Sequence, residues 1–226
     1  MDPTTKKSGV LIGVVLLIVG LAGGFGIAKA ADNNTGNSTN NSVTADTKAA
    51  DLRANLVAMG TEHMIYTDQA VDAALDGSPN ADATAAALYK NGTDIGAAVG
   101  SIYGKSAETT FNSVWKLHLD EFVKYAVAGK SGDAAGKQTA LSTIDSQYTK
   151  PLAQYLAKAN PNLPEATLET ALRDHVNMTA KMIDEHVAGD YTAEAMELDM
   201  ANTHISGLFS TLANAIVKQY PNKFQD

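Results

Sequence analysis

Cysteine is absent from the 226 residues. That excludes structural disulfides, thiolate zinc sites, iron–sulfur clusters and haem attached in the c-type manner. Aromatic residues make up only 6% of a chain that is 45% hydrophobic. A β-sandwich calls for more β-branched and aromatic residues, so this alanine-rich balance favours closely packed helices. Positive charge is also short. The formal net charge is −8, and without residues 1–30 the chain carries 14 basic and 24 acidic residues. An acidic body with no basic patch argues against nucleic acid and anionic lipid as its partners.

Catalytic signatures are missing too. There is no H-E-x-x-H, no G-x-S-x-G and no P-loop. A di-iron bundle needs Glu-x-x-His, but Gly60, Trp115, Leu172, Ile183 and Ala201 stand three residues before the five histidines. The run from Asp76 to Asp82 opens like a calcium loop, yet Ala81 and Ala87 occupy the sixth and twelfth positions, where Gly and Glu are required. No nucleophile–base pair can be named, so the expected protein is not an enzyme.

What is present starts with Lys6-Lys7 and an apolar run over residues 10–28, followed by Ala28-Lys29-Ala30. Residues 1–30 therefore read either as a cleaved signal peptide or as a transmembrane signal anchor. The two lysines hold the N-terminus in the cytoplasm, which places the rest outside: secreted, or anchored to the outer face of the cytoplasmic membrane through the uncleaved helix. Residues 31–46 form an Asn/Ser/Thr-rich disordered linker containing three N-x-S/T sequons.

From Thr47 the apolar residues recur with helical spacing. Six helices are expected, at about 47–76, 81–103, 106–129, 133–158, 165–188 and 192–219, with Pro151 kinking or splitting the fourth. Asn80, Ser106 and Thr192 are candidate N-caps, and Pro164 suits a first turn. The fold class is all-α: one bundle over 47–226 made of three hairpins, about 47–103, 106–158 and 165–219. The hairpins look like copies of one another. His63, His118 and His175 each precede a glycine (Gly77, Gly132, Gly189) by 14 residues, and Leu56, Phe111 and Leu168 each precede the histidine by seven.

These three histidines, with His204, fall on the apolar stripes of their helices. An unbonded buried imidazole costs on the order of 1–3 kcal/mol, so each needs a partner. In one account the partners are tyrosine hydroxyls such as Tyr66 and Tyr125, carboxylates or backbone carbonyls, and the chain is a non-catalytic structural or interaction module of the cell surface. In the other the imidazoles converge on a metal or haem, with copper as the model metal. The last hairpin adds Met178, Met182, Met196, Met200 and His186 to His175 and His204. Folded at Val187–Tyr191, it would set Met178 near Met200 and His175 near His204, a column of soft and borderline ligands. The candidate metal ligands are thus His63, His118, His175, His204, Met178 and Met200, and the cofactor copper or haem. The protein partner is left open.

Glu62-His63, Trp115-x-x-His118, His175-Val176, Val187-Ala188-Gly189-Asp190-Tyr191, His204 and Ala215-Ile216-Val217-x-x-Tyr220-Pro221 resemble a family of secreted, all-helical bacterial proteins, some of which carry an added copper-amine-oxidase-N-terminal-like domain. The resemblance covers about residues 50–226 and implies an all-helical extracytoplasmic module. It implies no activity. The copper of the added domain belongs to a module that this chain lacks, and the methionine column is not part of the family's pattern.

Overall fold

The computed structural model describes residues 46–225. The expected signal or anchor segment, and the linker up to residue 45, lie outside the described residues. Within them there is no strand, and no helix is long and apolar enough to cross a membrane.

The helices are α1 (Lys48–Asp76), α2 (Ala81–Tyr103), α3 (Lys105–Ser131), α4 (Ala134–Ile144), α5 (Lys150–Ala159), α6 (Glu165–Ala188) and α7 (Tyr191–Gln219). A π turn, Asp145–Thr149, joins α4 to α5 without a break in the helical path, so the seven helices form six rods. Pro151 is the cause. It has no N–H to donate, and its ring crowds the carbonyl four residues back; widening the preceding turn relieves that clash.

A left-handed glycine ends three of the rods. Gly77, Gly132 and Gly189 take φ of 66°, 73° and 75° at the C-termini of α1, α3 and α6. The N–H groups of Ser78, Asp133 and Asp190 then reach back to the carbonyls of Ala73, Ala128 and Glu185 at 2.8, 2.8 and 3.0 Å. This left-handed closure satisfies carbonyls that would otherwise be orphaned. Asp133 and Asp190 cap the following helices, accepting from the N–H of Gly136 and Ala193. Thr47 does the same for α1 through Ala50. The expected caps differ from these. Asn80 stands at the start of α2 without a side-chain bond, while Ser106 and Thr192 lie inside α3 and α7. Pro164 sits just before α6 rather than in its first turn.

The connections are short, so successive rods run antiparallel. Each rod packs on the next (α1 on α2, α2 on α3, α3 on α4, α5 on α6, α6 on α7), and α7 returns to α1. Three rods, α1, α3 and α6, also touch one another inside this ring. They are the three that end in a left-handed glycine cap, and they run in one direction. The core between the rods holds Leu56, Met64, Phe111, Trp115, Phe122, Leu168, Leu172, Ile205 and Phe209. On α2, Gly92 lets the Trp115 ring lie against bare backbone, where a Cβ would come within 2.7 Å of the indole.

Two glycine substitutions separate backbone conformation from helix propensity. Gly132→Ala forces a side chain into the left-handed region and is expected to lower stability by about 1 kcal/mol. Gly207→Ala, in open space on α7 with ordinary helical φ, is expected to raise it by about 0.5–1 kcal/mol. Urea unfolding midpoints of the two variants check both signs.

Candidate metal centre

His63 comes from the middle of α1, His118 from α3 and His175 from α6. Each lies 14 residues, about 21 Å of helix, before the glycine that ends its rod. Equal offsets on three parallel inner rods bring the imidazoles to one level. There they are 1%, 0% and 1% exposed. One ring nitrogen of each lies within 4.8 Å of the other two. Ring centroids are 5.6 Å apart for His63–His118 and 5.7 Å for His63–His175.

Five of the six ring nitrogens make no hydrogen bond: Nδ1 of His63, and both nitrogens of His118 and His175. The tyrosines expected as partners are engaged elsewhere or turned away. The Tyr125 hydroxyl donates to Asp184 at 3.0 Å, and Tyr66 makes no hydrogen bond to the triad. Instead the imidazoles meet ring faces. Tyr148, carried inward by the π turn, stacks on His118 at 4.2 Å and 21°. Trp115 lies 4.7 Å from His118 and 4.9 Å from His63. Ion pairs from Asp145 to Lys150 (2.8 Å) and to Arg173 of α6 (2.9 Å) hold the π turn in place.

This environment keeps the imidazoles neutral. Burial, followed by the nearby His175, pulls His63 down to about 3. Burial and the neighbouring His204 pull His175 down to about 4. His118 is lowered by burial first, then by His63 and His175, and the Trp115 carbonyl one turn back opposes the fall without making a well-formed hydrogen bond. Neutral imidazole is the form that binds a metal.

A cavity of about 580 Å³ between α1, α2 and α3 leads to the triad. His63, His118, Thr67 and Thr179 form its polar floor, and Ala, Val, Leu and Phe side chains form most of its walls. Thr67 and Thr179 each stand four residues after a histidine and donate to that histidine's carbonyl, at 2.7 and 2.9 Å.

The other sequence candidates are not in the triad. His204 is half-buried, and its Nε2 donates to the Ala171 carbonyl at 2.8 Å, so the hydrogen-bonded account applies to it. Met200 and Met196 are 45% and 63% exposed, while Met182 is buried and Met178 half-buried against the core. Of the column expected across the last hairpin, His175 and His204 are neighbours, whereas Met196 and Met200 face outward. Steps of four on α7 rotate about 40° each, and Ala201, Ile205 and Leu208 take the inward face instead. His186 belongs to a second group. Its Nδ1 lies 2.9 Å from both Asp72 Oδ1 and Glu194 Oε1, with the hydrogen bond going to Glu194, and its Nε2 lies 3.3 Å from Asp76. Burial alone would lower His186, but Asp72, Glu194 and Asp76 outweigh it and raise its pKa. Burial and Asp72 raise Glu194 to about 7, and the same two causes raise Asp68 to about 6.

Sequence reasoning missed Trp115, Tyr148, Thr67 and Thr179 as parts of the site. The repeated His-x-x-x-Thr at 63/67 and 175/179, and Trp115 one turn before His118, were the available signals. No protein-family model, curated protein or solved structure matches the chain.

The triad fixes an acid response for the metal-free protein. The folded-state values of His63 and His175 lie below the unfolded value of about 6.5, so the unfolded chain binds more protons as pH falls. Stability is then fully present above pH 6.5 and is lost on the way down to pH 3–4. Each of these two histidines removes about 2 kcal/mol by pH 5. Asp68 and Glu194 have the opposite sign, their contribution falling as pH rises from about 4 towards 6–7. Urea titrations at pH 7 and pH 5 check the triad: His63→Leu should lose less stability over this interval than the unaltered chain.

Proposed function

We propose that this chain is a non-catalytic, extracytoplasmic helical module that binds one transition-metal ion of the Zn(II) or Cu(II) class through His63, His118 and His175. One observation carries the reading: three buried, neutral imidazoles meet with five ring nitrogens unbonded. Leaving those atoms unsatisfied costs on the order of 1–3 kcal/mol apiece. A metal accepts one nitrogen from each ring, and the Trp115 carbonyl stands ready for a second nitrogen of His118. Zn–N bonds of about 2.0–2.1 Å require nitrogens about 3.4 Å apart in a tetrahedral site. From spacings of up to 4.8 Å, small rotations of the three rings supply the contraction.

The donor set argues for a borderline ion. Met200 is 45% exposed, which weakens the soft-ligand case for Cu(I). Haem fits poorly: three imidazoles side by side, backed by Trp115 and Tyr148, leave no slot for a porphyrin plane between two of them. We read the three inner rods as copies of one hairpin unit. The matched His-to-Gly offsets, the equivalent left-handed caps and the closed six-rod order support this. Metal binding is then a property of the assembled repeat, with one ligand drawn from each unit. The basic flank and apolar run at the N-terminus support delivery across the membrane, as does the resemblance to secreted helical proteins.

Trp115 is the only tryptophan and reports on the site. Titrating the untagged, metal-free chain with Cu(II) should quench its emission and saturate at one ion per chain by elemental analysis. His118→Ala should weaken binding at least ten-fold, about 1.4 kcal/mol, whereas Met200→Ala should leave it unchanged. No stoichiometric binding of Cu(II) or Zn(II), or binding indifferent to His118→Ala in a chain that keeps its helical circular dichroism, would overturn the reading.

A further inference from the structure

The cavity and the triad pose a charge problem together. Three neutral imidazoles give a divalent ion no compensating negative charge, and an uncompensated charge in a buried site is costly. Among the residues lining the cavity the only carboxylate is Asp82, which is exposed at the start of α2. The only cation is Lys130 near the end of α3, whose ammonium donates to the Leu75 carbonyl. Glu62 and Asp174, beside the ligands in sequence, are exposed and point to solvent. Among the described residues, none is placed to supply a fourth, anionic donor.

The cavity is shaped to receive one. His63 and His118 face into it, so the fourth coordination position of the ion opens onto a space of about 580 Å³, a volume typical of small-molecule sites. Water alone suits that space badly, because Leu88, Leu119, Phe122 and Ala126 make its walls apolar. At the imidazole end the lining is polar, with Thr67 and Thr179 beside His63 and His118, and the other polar lining residues are Asp82, Tyr89, Lys130 and Ser131. A ligand matching this profile has one anionic donor at its tip and an apolar body behind it.

We propose that the cavity binds an apolar monocarboxylate, whose carboxylate completes the coordination of the triad's metal ion while its hydrocarbon body lies between α1, α2 and α3. This rests on the metal reading above. The carboxylate contributes the missing charge, and the apolar walls contribute affinity that grows with ligand length.

The test uses the Co(II)-loaded full chain, whose visible absorption reports the metal's ligands, with decanoate, acetate and decanol as probes. Decanoate should shift the cobalt bands with an apparent Kd at least ten-fold below that of acetate. Decanol should leave the bands in place. Ala126→Phe, on the cavity wall, should remove the advantage of decanoate over acetate while retaining cobalt. Ala85→Phe, on the facing α2 wall, serves the same purpose if the first variant loses its helical signal. Equal apparent Kd values for decanoate and acetate would overturn the proposal, as would decanoate binding by calorimetry that leaves the cobalt bands unmoved. In either case the metal centre itself would stand. Failure of Co(II) to bind at all would instead sink the metal reading, and this proposal with it.

Discussion

The constraint that the bundle accommodates is the burial of three neutral imidazoles against one another. Their ring nitrogens leave water without gaining protein hydrogen bonds, and the Trp115 indole N–H beside them is unbonded too, which removes free energy from the metal-free fold. Salt bridges and caps occupy the rim, and a continuous apolar core fills the spaces between rods. The triad is tolerated because aromatic faces, Trp115 and Tyr148, enclose it and because the protonated forms are suppressed. A site that lowers the stability of the empty protein and suits a metal when neutral couples ion binding to folding. The π turn that Pro151 imposes also brings Tyr148 over His118.

Rod order brings the site together. A single pair of these helices cannot cover its own apolar stripe. The six rods close into a ring, with α1, α3 and α6 in contact inside it. The glycine ends fix the vertical register, and the common offset to each histidine places the imidazoles at one height. The second cluster, around His186, has a different character. Its carboxylates outnumber its imidazole, and burial together with Asp72 raises Asp68 to about 6 and Glu194 to about 7.

The sequence carried most of the architecture. Helical periodicity, Gly77, Gly132 and Gly189 as stops, and Pro151 as a disruption all correspond to features of the bundle, since each acts through local backbone physics. The start signals were less legible, because Asp133 and Asp190 do double duty beside the glycines and take the caps away from neighbours such as Thr192. The spacing of His63, His118 and His175 picked out the candidate centre. Spacing alone did not show that Met196 and Met200 lie off the inward face of α7, which Ala201, Ile205 and Leu208 take. His204 is half-buried and ends at a backbone carbonyl. Tyr148 and the cavity were invisible to pattern reading, because both depend on how separate rods pack.

The most direct measurement is anomalous diffraction at the zinc edge from crystals of the zinc-loaded chain. A single strong peak equidistant from His63, His118 and His175, about 2.0–2.1 Å from one nitrogen of each, is the predicted result. A peak only beside Asp72, His186 and Glu194, or none within reach of the three imidazoles, would contradict the account.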